Sequence, residues 1–152
     1  MSKSHQYCTF FLNHGFFGID VLKVQEVIRY QEMTRVPLAP ADVRGLINLR
    51  GQIVTALDLR RRLKMPDRFD DQLPMNVVIQ TDDGAVSLLV DEIGDVLDVA
   101  EDCFERPPET INPLIRELVR GVYKLKGRLL LILDTEKVTA VDGAHECLAR
   151  RN

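Results

Sequence analysis

This sequence of 152 residues has few of the side chains that build disulfide frameworks or metal sites, and it has no long apolar run. Its three cysteines and three histidines are scattered along the chain: Cys8, Cys103, Cys147, His5, His14 and His145. Their spacing predicts neither a disulfide framework nor a metal site, so we expect reduced thiols and no cofactor. The longest apolar run, residues 129–133, is far shorter than the roughly 20 residues of a membrane-spanning helix and fits a buried strand. The polar N-terminus lacks the apolar segment of a signal peptide, which predicts a cytoplasmic protein.

The chain also lacks a large excess of charge of either sign. The chain has 20 Lys and Arg against 23 Asp and Glu, for a formal net charge of −3, and 45% of its residues are hydrophobic. A net negative chain is a poor general binder of phosphates, although a local basic patch stays possible. The composition is that of a soluble globular protein, with enough residues for one domain or for two small barrels that share a core.

An internal repeat is the strongest signal in the sequence. Residues 43–58 align without gaps onto residues 119–134, and a weaker similarity relates residues 19–28 to residues 88–97. The identical pairs in the longer alignment are Val43/Val119, Arg44/Arg120, Gly45/Gly121, Leu49/Leu125, Gly51/Gly127, Leu57/Leu133 and Asp58/Asp134. We therefore expect the same string of elements twice.

Short apolar runs separated by turn residues predict a mainly β fold. Arg50-Gly51 and Lys126-Gly127 each separate two strand-like runs, the pattern of a tight hairpin, and further hairpins are expected around residues 13–15 and 82–84. Residues 22–26 and 40–43 fit either a helical turn or a strand. No long segment has helical periodicity, which favours small barrels over alternating strands and helices.

The predicted organisation is a single domain with two subdomains. The first occupies about residues 7–65 and the second about residues 75–140. A charged linker bracketed by prolines, about residues 64–74, joins them. Residues 141–152 form a polar tail that we expect to be exposed.

Two aspartates at equivalent repeat positions are the best candidates for catalysis. Asp58 and Asp134 each follow an apolar strand, and paired carboxylates could act as a hydrolase dyad. Neither lies in the glycine-containing loop that would bring such a pair together. The favoured alternative is that each aspartate caps a short helix that begins at the next residue.

A basic cluster at residues 60–64 offers a second alternative, an RNA-binding barrel. No aromatic side chain accompanies it for base stacking, and nearby aspartates oppose it, so a solvated helix face is the favoured interpretation. The sequence has no glycine-rich phosphate loop and no catalytic triad spacing. These observations together favour a module for protein interaction.

Several motifs resemble those of the CheW family of bacterial chemotaxis coupling proteins. They cover residues 18–28, 34–37, 45–54, 57–60, 90–97 and 127–133. The resemblance implies two SH3-like five-stranded barrels packed around a shared apolar core. It also implies a non-enzymatic adaptor at receptor arrays, which binds the cytoplasmic tips of chemoreceptors and the regulatory domain of a CheA-type histidine kinase. Flagellar chemotaxis and non-flagellar pathways such as twitching motility both stay open, and neither nucleic acid binding nor membrane insertion is expected.

The same resemblance implies a set of partner-binding residues. They are Val24, Glu26, Arg44, Gly45, Asn48, Arg50 and Gly51. Arg50 is the foremost candidate, because an arginine beside a hairpin glycine can present its guanidinium to a carboxylate of a helical partner. The alternatives are that the two glycines serve backbone geometry alone, that Val24 belongs to the core, and that Arg44 is structural.

Overall fold

The computed structural model describes residues 3–69 and 71–140, and within these residues the chain forms ten strands and five short helices. The strands are β1 Ser4–Leu12, β2 Gly15–Asp20, β3 Val24–Ile28, β4 Val43–Leu49, β5 Gln52–Asp58, β6 Met75–Thr81, β7 Gly84–Val90, β8 Glu92–Ala100, β9 Val119–Leu125 and β10 Arg128–Leu133. The α-helices are α1 Leu59–Arg62, α2 Pro113–Leu118 and α3 Thr135–Thr139, and 3-10 turns cover Val21–Lys23 and Glu101–Cys103. The predicted tail, with His145 and Cys147, lies outside the described residues.

The strands form two five-stranded sheets. Sheet A has the order β8-β1-β2-β10-β9, and sheet B has the order β3-β6-β7-β5-β4. The only parallel neighbours in these sheets are β2 with β10 and β5 with β7. The two orders are equivalent. The positions of β8, β1, β2, β10 and β9 in sheet A correspond to those of β3, β6, β7, β5 and β4 in sheet B. The mainly β fold class and the repeated string of elements are thus confirmed.

The sheets do not follow the predicted linker at residues 64–74, because each sheet combines strands from before and after it. All strands of sheet B come from residues 24–90, whereas sheet A joins β1 and β2 to the last three strands. The physical reason is the parallel pairing, since β2 completes its sheet against β10 of the other repeat and β7 completes its sheet against β5. Each repeat therefore contributes one hairpin to the sheet of the other.

The predicted hairpins are confirmed, and the two ambiguous segments are resolved. All four turns lie between antiparallel strands as expected. Residues 22–26 contain the end of a 3-10 turn and then the start of β3. Residues 40–43 form a turn rather than a helix, with the Val43 amide donating to the Pro40 carbonyl at 3.0 Å.

The core has a shared part and two separate parts. Side chains from both sheets and all three α-helices form the largest buried cluster, which includes Phe10, Leu57, Leu88 and Val122. A second cluster around Tyr123 belongs to sheet A, and a third around Ile47 belongs to sheet B. A shared apolar core was expected, and burial of these side chains is the main source of stability.

In each sheet a chain segment runs from one edge strand to the other. The first strap, residues 29–42, follows β3 and pairs with β4 through Thr34 and Leu46. The second strap, residues 101–112, follows β8 and pairs with β9 through Glu105 and Val122. Because β3 and β4 are opposite edges of sheet B, and β8 and β9 of sheet A, each strap connects the two edges of its sheet.

Candidate protein-binding surface

The turn between β4 and β5 holds Arg50 at the end of sheet B. Arg50 has φ 51° and Gly51 has φ 89°, so both central residues are in the left-handed region that a two-residue type I′ turn requires. The side chain of Asn48 accepts a hydrogen bond from the Gly51 amide at 2.8 Å and fixes this turn. The Arg50 side chain is 75% exposed as a result.

An ion pair joins this turn to the opposite edge of the sheet. The Arg50 Nη2 donates to Glu26 Oε2, and Glu26 lies on β3. The hydrogen bonds from Arg50 and then from Gln25 hold the pKa of Glu26 below its ordinary value. One Arg50 donor thus already binds Glu26 within the chain, and the contact of the guanidinium with a partner carboxylate stays a prediction.

The structure brings together only part of the predicted set. Glu26, Asn48, Arg50 and Gly51 meet at the turn end of sheet B. Arg44 and Gly45 lie near the start of β4, six and five residues before Arg50, or about 20 Å away along the strand. Val24 is half-buried and packs against the shared core, which supports the alternative that it is structural.

Gly45 has a packing role that makes some substitutions unsuitable. A Cβ atom there would lie 2.6 Å from the Thr34 carbonyl oxygen of the first strap. In the second repeat a Cβ at Gly121 would lie 2.2 Å from the Phe104 ring, which covers that position. Both glycines therefore let a strap approach its sheet. A substitution such as Gly45→Asp would disturb this packing, so its effect on binding could not be separated from its effect on the fold.

Arg44 belongs to a buried ion cluster formed with Asp58, Arg60, Arg68 and Asp91. The carboxylate of Asp58, only 1% exposed, accepts from Arg44 Nη1 at 3.1 Å and from Arg68 Nη1 at 3.1 Å. It also caps α1 by accepting from the Arg60 amide at 3.0 Å. The predicted helix cap is confirmed, but the two arginine partners were not predicted.

Asp91 forms the other half of this cluster. It accepts from Arg60 Nη2 at 2.6 Å, from Arg68 Nε at 2.8 Å and from the Asn13 amide at 2.7 Å. Burial acts to raise the pKa of Asp91, but the hydrogen bonds from Arg60 and Asn13 and the charge of Arg68 outweigh it, and the pKa is lowered. Asp91 lies between β7 of sheet B and β8 of sheet A, so the cluster ties the two sheets together.

The basic segment at residues 60–64 is only partly solvated, and each of its arginines binds another part of the chain. Arg60 is buried against Asp91. Arg61 donates to Asp67 and to the Ala41 carbonyl, and Arg62 donates to the carbonyls of Lys137 and Val138. The prediction of a solvated face is therefore wrong for Arg60, whereas Arg61 and Arg62 are half-buried and Lys64 is exposed.

The described residues of the second repeat form no equivalent cluster. Asp134 caps α3 by accepting from the amides of Glu136 at 3.0 Å and Lys137 at 3.2 Å, as predicted. Arg120, which aligns with Arg44, makes no hydrogen bond or ion pair with any described residue. Since each aspartate caps its own helix, the geometry supports the capping interpretation over a carboxylate dyad.

The described residues offer neither a metal site nor a membrane-spanning helix. Residues 3–69 and 71–140 contain no group of three or more His, Cys, Asp or Glu side chains placed to hold a metal ion. None of the helices in this part of the chain has the length and apolar character needed to cross a bilayer.

The fold and this surface define a class of small pseudo-symmetric β proteins in which two five-stranded sheets share a core and a hairpin turn presents polar side chains. The chain belongs to the CheW-like domain family, whose model matches residues 6–142.

Curated relatives and a solved structure agree with this assignment. The chain is 33% identical over 129 residues to the chemotaxis protein CheW of Bacillus subtilis, covering 85% of this chain and 83% of the relative. It is 32% identical over 133 residues to CheW of Klebsiella aerogenes, covering 88% and 80%. The crystal structure of the scaffolding protein TtCheW from Thermoanaerobacter tengcongensis superimposes with a TM-score of 0.82 at 24% identity, covering 94% of this chain and 92% of that one, and shows the same fold.

Proposed function

We propose that this chain is a non-enzymatic cytoplasmic adaptor that couples chemoreceptors to a CheA-type histidine kinase. It binds the regulatory domain of the kinase and the cytoplasmic tips of the receptors at their arrays, so that receptor state controls kinase autophosphorylation. The observation that carries this proposal is the match of the family model to nearly the whole chain. Relatives named as chemotaxis proteins support it.

The exposed end of sheet B is the best candidate for the kinase or receptor contact. The turn at Arg50 and Gly51 is rigid, because Asn48 and Glu26 both bind it, and it leaves most of the arginine side chain in solvent. Binding therefore requires little ordering of the turn, which lowers the entropic cost of association.

Charge reversal at this pair tests the proposal. Arg50→Glu removes the ion pair and places two carboxylates together, so we expect at least a tenfold loss of affinity for the purified kinase regulatory domain in a calorimetric titration. The melting temperature should change little, because exposed ion pairs contribute little to stability. Lys126→Glu is the matched control, since Lys126 occupies the equivalent turn of the second repeat.

The double variant Glu26→Arg with Arg50→Glu distinguishes an ion pair that only shapes the turn from an Arg50 side chain that contacts the partner. If the pair only shapes the turn, the reversed pair restores binding. If Arg50 itself contacts the partner, binding stays weak in the double variant. Wild-type protein that binds neither the kinase domain nor receptor-containing membranes from the same organism would overturn the proposed function.

A further inference from the structure

Leu38, in the first strap, combines an unfavourable backbone conformation with full exposure. The Ala39 amide donates to the Val36 carbonyl at 3.3 Å and closes a turn in which Pro37 and Leu38 are the central residues. Leu38 has φ 64°, at the position of this turn that favours glycine or asparagine. Its side chain is fully exposed and gains nothing from packing within the chain. Strain of this kind without a folding benefit is typical of a binding site.

The turn borders an open groove of about 730 Å³ between the first strap, β4 and α1. Its walls include the apolar side chains of Val36, Pro40 and Val43. Arg35, Arg44 and Arg61 also line it, and none of its lining residues is acidic. The groove thus offers apolar contact and positive charge side by side.

The three arginines have donors to spare. Arg35 makes no hydrogen bond or ion pair with any described residue. Arg44 uses Nη1 on Asp58, and Arg61 uses Nε on Asp67 and Nη1 on the Ala41 carbonyl, while their Nη2 groups have no hydrogen-bond partner among the residues described. Asp58 is shared by Arg44 and Arg68, so it neutralises neither fully. In a chain of net charge −3, this face carries an excess of positive charge.

We propose that this groove docks a protein segment in which acidic side chains alternate with apolar ones. Arg35 and Arg44 bind its carboxylates, and Leu38 packs against its apolar side chains. The apolar walls favour a peptide over a free phosphate, which would gain nothing from them. The inference rests on the proposed function only in taking the occupant to be a partner protein.

The first experiment titrates the whole protein with a short synthetic peptide of alternating Glu and Leu, followed by amide NMR. We expect shifts at the first strap and at the start of β4, and about tenfold weaker binding of a matched peptide with Gln in place of each Glu. Equal binding of the two peptides, no binding of either, shifts confined to other regions, or displacement of the peptide by equimolar inorganic phosphate would each overturn the inference.

Three variants locate the contact. Leu38→Asn should weaken binding several-fold while the melting temperature stays the same or rises, because asparagine tolerates the left-handed conformation. Arg35→Gln should weaken the Glu peptide but not the Gln peptide. Arg120 occupies the position of Arg44 in the second repeat, so Arg120→Gln is the control and should change the binding of neither peptide. A Leu38→Asn variant that binds as tightly as the wild type would contradict the proposal.

The assay contains neither kinase nor receptor. A chain that binds the kinase domain but not the peptide would overturn this inference and leave the proposed function standing. A chain that binds the peptide but neither the kinase domain nor the receptors would overturn the proposed function and leave this inference standing.

Discussion

Single residues in this chain have roles that their type alone does not reveal. Arg44 and Arg120 occupy the same repeat position, yet only Arg44 meets a buried carboxylate. Arg68, which lies in the linker, also binds this carboxylate. A charged linker composition gives no sign of one buried arginine, and this is why sequence reasoning found the aspartate cap but not the ion cluster.

The two glycines of the candidate site should respond differently to alanine. Gly45→Ala places a Cβ against the Thr34 carbonyl oxygen, so we expect a loss of roughly 2 kcal/mol or more in the free energy of unfolding. Gly51→Ala meets no atom within 4 Å, and only its left-handed backbone, φ 89°, opposes it, at about 1 kcal/mol. Urea denaturation measures both, and a larger loss at Gly51 would show that the strap does not pack as closely on Gly45 as described.

At the scale of elements, the sequence predicted well what neighbouring residues determine. The β4–β5 hairpin follows from an X-Gly pair between two apolar runs, and the helices after Asp58 and Asp134 follow from capping. The sequence did not predict α2, a short helix that Asn112 caps and whose Leu118 is buried. It also could not predict the parallel pairing of β5 with β7, because that contact depends on how distant hairpins meet.

Asparagine variants of the two helix-capping aspartates test how much the ion cluster contributes to stability. Asparagine caps helices about as well as aspartate, so Asp134→Asn should cost less than about 0.5 kcal/mol. Asp58→Asn keeps the cap but leaves Arg44 and Arg68 without their carboxylate, and loss of one partner from a buried pair costs about 3 to 5 kcal/mol. Chemical denaturation of both variants gives the comparison. Because asparagine keeps the cap in both variants, equal losses would mean that the ion pairs of Asp58 add nothing to the free energy of unfolding.

At the scale of the whole molecule, the internal repeat correctly predicted two equivalent sets of strands, and the sheets show how these sets are joined. The linker at residues 64–74 separates the repeats in sequence, whereas the sheets exchange the hairpins β1–β2 and β6–β7 across it. Asp91 reinforces this exchange, because its backbone amide donates to the Phe11 carbonyl at 3.0 Å and its side chain binds the Asn13 amide. The two repeats are therefore one folding unit.

A division of the chain in the linker gives the sharpest test of this exchange. The fragment 1–70 lacks β6 and β7, so its sheet B strands lose their central neighbours, and the fragment 71–152 lacks β1 and β2 of sheet A. Neither fragment can complete the shared core, because side chains of both halves form it. We expect each fragment to show no cooperative thermal transition alone, and the equimolar mixture to recover one, followed by circular dichroism. The intact chain and a chain cleaved in the linker after folding are the controls. Cooperative unfolding of either fragment by itself would mean that the repeats fold as independent subdomains, and the exchanged topology would then be incorrect.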